Sequence, residues 1–423
     1  DFYDAVLEKQ ENVWTVFNDS TWARTGLVRL PDTGAKAYRD GSGNVLRWEK
    51  EGDGIYVEVR DVPGMGYETV EAVGADIFGA VSAEPAFEVS GRKIATPVYE
   101  ISLNECGQIT RLYDRSFDRE VIPEGARANV FQMFEDKPLD FDAWDVDIFY
   151  QDKMREITEL TKFEVSSEGS LKMKVHLEWK YMNSRIEQDM ILYGSSRRID
   201  FRTRVDFHER QQLLKAAFPV NIRSTYATYD VQYGNVRRPN NWNTSWDQAK
   251  FETVAHRWAD LSERNYGVSI LNDCKYGHDI KDNVMRITLI KSAIQPDYLQ
   301  DQGMHEFTYS LLPHAGDFVE GRTVQEAFDV NEPMQAVPGK AVLPFRSFLT
   351  FDNDQVELDA VKKSEDGKYL VVRFHEYAGS RQKVTLRMGF EFASWAEGDL
   401  MERRIGEWSE EKEIRMEVGA YEI

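Results

Sequence analysis

Two cysteines in 423 residues, Cys106 and Cys274, are too few for a disulfide framework and form no C-x-x-C metal motif, which fits a reducing compartment. No stretch approaches the ~20 uninterrupted apolar residues that span a bilayer, and the opening Asp1-Phe2-Tyr3-Asp4 has neither a basic nor an apolar signal region. A cytoplasmic location with no membrane partner is therefore expected. Positive charge is also short: 52 Lys and Arg stand against 73 Asp and Glu, a net −21 that repels phosphate backbones and disfavours nucleic acid as a partner. There is no P-loop, no G-x-G-x-x-G after a strand, no G-x-S-x-G elbow and no H-E-x-x-H, so nucleotide-dependent chemistry and the common hydrolase and metalloprotease constellations lose their support. The seven histidines show no metal-ligand spacing; the nearest pair is His305 and His314.

What the chain does have is length for two or three cores and abundant apolar material, with 10 Trp, 19 Tyr and 23 Phe, which excludes disorder. Apolar residues alternate with charged ones at period two, as in Lys172-Met173-Lys174-Val175-His176-Leu177-Glu178-Trp179 and Ile199-Asp200-Phe201-Arg202-Thr203-Arg204-Val205. Such runs predict antiparallel sheets with one wet face, and no long helical pattern intervenes to make a parallel sheet. The expected fold is all-β: a large antiparallel sandwich flanked by two smaller β-domains. The divisions are a helix end over 1–11, a small β-domain over 12–78, the large sandwich over 79–330, a proline-containing linker over 331–340, and a β-sandwich over 341–423.

Three loops concentrate polar and aromatic groups. Sugars present hydroxyls around apolar C–H faces, so a site for them wants aromatic platforms beside Asn, Asp and Arg. Arg237 through Asp247, including Asn243, Trp242 and Trp246, supplies both. Asp273, Lys275 and Tyr276 follow a strand end, and Asp301, Gln302 and His305 crowd a turn before another strand. Arg237, Asn243, Asp247, Asp273, Lys275, Tyr276, Asp301, Gln302 and His305 are the candidate sugar-contacting or rim residues. Glycoside cleavage needs two carboxyl groups at a fixed separation, and 73 acidic residues do not reveal which two.

Several stretches together are closely similar to the C-terminal half of glycoside hydrolase family 38 α-mannosidases of the bacterial and cytosolic type. They include Gly107-Gln108-Ile109-Thr110-Arg111-Leu112-Tyr113-Asp114, Phe134-Glu135-Asp136-Lys137-Pro138, Leu214-Lys215-Ala216-Ala217-Phe218-Pro219, and Asn243-Thr244-Ser245-Trp246-Asp247. His256-Arg257-Trp258-Ala259-Asp260-Leu261-Ser262-Glu263, Leu271-Asn272-Asp273-Cys274-Lys275-Tyr276-Gly277 and Lys362-Lys363-Ser364-Glu365-Asp366-Gly367 extend the resemblance across nearly the whole chain. The resemblance implies a galactose-mutarotase-like supersandwich and a retaining, exo-acting α-mannosidase of terminal α-mannosides, acting on mannose-containing oligosaccharides or glycans. It also implies a zinc-dependent catalytic centre carried by an N-terminal barrel. Nothing here matches that barrel, its nucleophile or its His-x-Asp metal pair, so no catalytic residue, metal ligand or cofactor is assigned to this chain, and zinc is expected only in the full-length enzyme. The chain is expected to support its own N-terminal barrel, to line the substrate rim, and to be inactive alone. An apolar patch is expected near the first helix and first β-domain, where the barrel would dock. A stand-alone mutarotase-like epimerase or a carbohydrate-binding module is the alternative, and homo-oligomerisation stays open.

Overall fold

Alternation at period two is what most of the chain folds into. The computed structural model describes residues 2–74, 86–166, 169–343 and 346–423. In the strand Lys172–Tyr181 it buries Met173, Val175, Leu177 and Trp179 and leaves the intervening polar side chains on the wetter face. The register to Ser184–Tyr193 sets Met173 opposite Leu192, Val175 opposite Met190 and Trp179 opposite Ile186, so one face of the pair is continuously apolar.

These strands belong to a nine-stranded sheet whose first eight strands, in spatial order, pair antiparallel. Its spatial order is Leu160–Ser166, Lys172–Tyr181, Ser184–Tyr193, Ile199–Phe207, Gly303–Ala315, Tyr266–Asn272, Trp258–Ser262, Tyr226–Val231, Gly234–Pro239. A six-stranded sheet runs Met154–Glu156, Val130–Glu135, Gln212–Pro219, Val284–Ser292, Gly277–Lys281, Thr253–Val254. Val175, Phe201, Val205 and Tyr309 of the first share one core with Phe131, Leu214, Phe218 and Ile287 of the second. Phe201 stacks on Tyr309 at 5.2 Å and Phe131 meets Trp179 edge-on at 5.1 Å. A five-stranded sheet built on Tyr99–Leu103 and Ile109–Asp114 adds Ile101 and Leu112 to that core. The fold is thus the nearly all-β supersandwich expected.

The turn joining those last two strands needs a glycine. Gly107 sits at φ +77°, and an added Cβ would lie 2.8 Å from both Leu177 Cδ2 and Trp179 Cζ2. Gly107→Ala is expected to cost about 1–3 kcal/mol, read as a lowered urea midpoint. An unchanged midpoint would mean that the turn relaxes around the methyl group.

The chain divides into two compact units, Asp1–Ala83 with Gln232–Asn235 and Pro333–Ile423, and Glu84–Val231 with Val236–Glu332. The segments expected as a first and a third β-domain therefore fall in one unit. Its first core, around Val16, Val28, Ile55, Val57 and Val70, lies among two sheets built from residues 13–73 together with Gln335–Pro338. Smaller clusters around Leu349, Leu386 and Ile414 and around Val356, Val384 and Val418 hold the C-terminal strands. The boundary expected at 78–79 lies outside the described residues.

Two boundaries differ from expectation. The helix expected over 1–11 covers Phe2–Val6; Leu7–Glu8 instead pair with Lys340–Ala341, a backbone alternative that apolar spacing does not reveal. The expected linker 331–340 contains a strand, Gln335–Pro338, paired antiparallel with Val13–Asn18. It tolerates Pro338 because it is the edge of its sheet. Among the described residues no helix is long and apolar enough to cross a membrane.

Candidate functional site

The strand Gln212–Pro219 sends Leu214, Ala216 and Phe218 into the shared core, which turns Lys215 to the opposite face of its sheet. That face is not wet. The Lys215 side chain has 0% exposure; its ammonium donates to Glu252 and, at 2.6 Å, to Asp279 Oδ2. Arg286 Nε donates to Asp279 Oδ1 at 2.7 Å, and Tyr150 OH donates to Glu252 Oε1 at 2.5 Å. Burial alone would depress the Lys215 ammonium, but Asp279 and Glu252 outweigh it and hold it above the usual lysine range. Burial raises the Glu252 carboxyl despite Lys215. Each charged group here is bonded to another, so the cluster holds the 150 and 252 segments against the sheet.

On Gly277–Lys281, Asp279 joins this network while His278 and Ile280 alternate to the other face, Ile280 in the shared core. His278 is fully buried, its ring in contact with the Lys275 backbone. Burial pushes its pKa down to about 4 from 6.5.

A second constellation sits where Trp258–Ser262, Tyr266–Asn272 and Gly303–Ala315 lie side by side. Asp260 Oδ2 is 2.9 Å from His314 Nε2 and accepts from Ser269 Oγ at 3.0 Å, while Ser262 Oγ donates to Asp260 Oδ1 at 2.5 Å. Ser269 Oγ also lies 3.1 Å from the same His314 nitrogen. A Ser-His-Asp relay needs the serine and the carboxylate on different ring nitrogens. Here they share Nε2, Nδ1 faces Ala315 O at 3.1 Å, and Ser269 and His314 are buried, so this is a structural network. The imidazole fits because Gly267 stands opposite it: a Cβ there would be 2.4 Å from His314 Cε1.

Asp260 and Ser262 also border a cavity of about 600 Å³, whose other walls come from 223–226, Thr228, Arg237, Glu263, Arg264, Asp317 and Phe318. Arg237 is the one candidate residue that lines it, its guanidinium 5.2 Å from the centre of the Tyr226 ring. Asn243 and Asp247 lie instead at the short helix Ser245–Gln248, where Thr244 Oγ1 accepts from the Asp247 amide at 3.1 Å and donates to Asp247 Oδ2 at 2.7 Å. Asp273 and Lys275 come to Gly303–Ala315: Asp273 Oδ2 accepts from the Thr308 amide at 2.8 Å, and Lys275 Nζ is 4.6 Å from the Phe307 ring centre. Tyr276, half exposed, lies 5.3 Å from the His256 ring. Asp301, Gln302 and His305 enter the same strand: His305 Nε2 is 2.9 Å from Asp301 O, and Gln302 Nε2 donates to Glu209 O at 2.6 Å. The 273 and 301 loops thus meet at one strand, apart from the Arg237 cavity. Sequence reasoning missed Arg223 and Arg264, which carry no local motif.

For the divalent metal that the resemblance implies, the described residues offer no group of three or more His, Cys, Asp or Glu side chains placed to hold it. They do not fit such a site, and no chemical step is routed through one.

At the first helix Tyr3 packs on Phe17 at 5.4 Å and Phe17 on Tyr67 at 6.1 Å, and among the described residues an exposed apolar run is found elsewhere. It lies at 139–149, where Leu139 is 90% and Trp144 68% exposed, with Phe141, stacked on Trp144 at 5.6 Å, and Phe149 exposed alongside.

Two family models match the chain: the glycosyl hydrolases family 38 C-terminal domain over residues 94–299 and the glycosyl hydrolases family 38 C-terminal beta sandwich domain over 355–423. Alpha-mannosidase 2C1 of Homo sapiens is 34% identical over 370 residues, covering 85% of this chain and 36% of that protein. Alpha-mannosidase G of Dictyostelium discoideum is 36% identical over 294 residues, covering 66% and 27%. A solved alpha-mannosidase from Enterococcus faecalis V583 shares the fold with a TM-score of 0.74 at 16% identity, over 99% of this chain and 57% of that one. The chain thus spans about a third of the length of the curated relatives it matches.

Proposed function

The chain belongs to glycosyl hydrolase family 38 through that family's C-terminal β-domains, and from this premise we propose that it is the supporting C-terminal part of a retaining exo-α-mannosidase that removes terminal mannose from glycans. The observation that carries the reading is the succession of both C-terminal family models along a chain that covers about a third of its mannosidase relatives. In this role it braces a catalytic domain and contributes loops to the substrate rim. The exposed run Leu139, Phe141, Trp144 and Phe149 supports it, since contiguous exposed apolar side chains mark contact surfaces. The loops at Asp273–Tyr276 and Asp301–His305 are the proposed rim contributions.

The alternative of a mutarotase-like epimerase needs an acid and a base converging on one open face. His305 and Glu306 occupy consecutive strand positions and point to opposite faces, and the carboxylates around Lys215 are consumed by their ion pairs. The test is hydrolysis of a chromogenic α-mannoside, with and without added zinc. The expected result is no turnover by residues 1–423 and turnover by a polypeptide that also carries a family 38 catalytic domain. Turnover by residues 1–423 alone would overturn the supporting role.

A further inference from the structure

We infer that the cavity of about 600 Å³ bordered by Asp260 and Ser262 binds an oxyanion, a phosphate or sulfate group either free or carried on a sugar. Three arginines reach it from three separate segments: Arg223 before the strand Tyr226–Val231, Arg237 in Gly234–Pro239, and Arg264 after Trp258–Ser262. Among the described residues none of these three guanidinium groups makes an ion pair. Elsewhere in this chain of net charge −21 many arginines do pair with carboxylates, as Arg39 with Glu71 and Arg111 with Glu100 and Glu120.

The carboxylates on the cavity wall are already engaged elsewhere. Glu263 is paired with Arg119 at 2.6 Å and accepts the Arg223 backbone amide at 3.2 Å. Asp260 is turned to Ser262, Ser269 and His314. Asp317 accepts the amides of Val319 and Glu320 at 2.9 and 3.4 Å, and of the three acidic residues it remains the one exposed. The arginines therefore keep their donors, up to five N–H groups each in a planar fork that matches tetrahedral oxyanions two bonds at a time. Packing over Tyr226 restricts Arg237 and so reduces the ordering that binding would require. The volume lies within the range of small-ligand sites and exceeds what a bare anion fills. This inference is independent of the supporting role proposed above.

The experiment is calorimetric titration of the whole chain, at constant ionic strength, with inorganic phosphate, a hexose phosphate and the neutral hexose. Saturable binding of phosphate is expected, weakened roughly ten- to a hundredfold in each of Arg223→Gln, Arg237→Gln and Arg264→Gln, as for the loss of a charged hydrogen-bond donor. All three residues are exposed, and the melting temperature of each variant checks its fold. Arg404→Gln, at a residue paired with Glu407 in the other unit, is expected to leave binding unchanged. Tighter binding of the hexose phosphate would identify a sugar-borne anion, and equal affinity a free one; both support the site. Absence of saturation below roughly 10 mM, neutral hexose binding as well as hexose phosphate, or an equal loss in Arg404→Gln would overturn it.

Discussion

Lys215→Met is expected to destabilise the Glu84–Glu332 portion of the chain by about 3–5 kcal/mol, the cost of leaving buried carboxylates without their cation. The lysine has no water to turn to, and its removal strands Glu252 and half of Asp279 beneath the 150 and 252 segments. Adding Glu252→Gln to the variant is expected to recover part of the loss, because the stranded charge goes with it. Chemical denaturation followed by intrinsic fluorescence measures both. A loss under about 1 kcal/mol for Lys215→Met would mean that the covering segments open readily and let water replace the ammonium.

The second large effect is acid sensitivity at His278. Its folded pKa, about 4, lies below the ordinary 6.5, so between these values the unfolded chain binds the proton and the folded chain does not. The stability associated with this depressed group is fully present above pH 6.5 and is lost as pH falls towards 4, by about 3 kcal/mol in all. The ring's one backbone contact is with Lys275, so His278→Leu gives up at most that single hydrogen bond. The expected outcome is near-equal stability of variant and parent at pH 7 and a variant more stable by about 3 kcal/mol at pH 4. Parallel stability curves across that interval would show that the ring reaches solvent.

Both effects lie where the sequence was least readable. The alternation in Lys172–Trp179 revealed its buried face directly, because both the apolar and the polar side chains obey one period. Lys215 stands alone in an apolar run, Leu213-Leu214-Lys215-Ala216-Ala217-Phe218, that has no such alternation. What buries it is coverage by the 150 and 252 segments, remote in sequence, which period-two spacing does not encode. The edge strand Gln335–Pro338 was hidden by Pro333 and Pro338, which read as a linker until its partner Val13–Asn18, more than 300 residues away, is known.

The cavity shows the same limit. Arg237 stood out because aromatic and polar residues crowd around it, but Arg223 and Arg264 joined it only through the pairing of Tyr226–Val231 with Trp258–Ser262, which sets Thr228 opposite Asp260. The composition-rich loops at 273 and 301 were legible as loops. Their polar atoms go largely to bonds inside the protein, with Thr308, Glu209 and Asp301. Density of polar residues therefore marked where loops gather without separating groups held by turn geometry from groups left as donors.

The pairing of Val13–Asn18 with Gln335–Pro338 also sets an order of events during synthesis. Nearly all of the Glu84–Glu332 unit has left the ribosome before the partner of the first long strand is made, so that unit can complete its sandwich while the N-terminal strands wait with one edge unpaired. Until residue 338 emerges, Val13–Asn18 is an open template for other strands, and a pause in translation between these two segments prolongs that exposure.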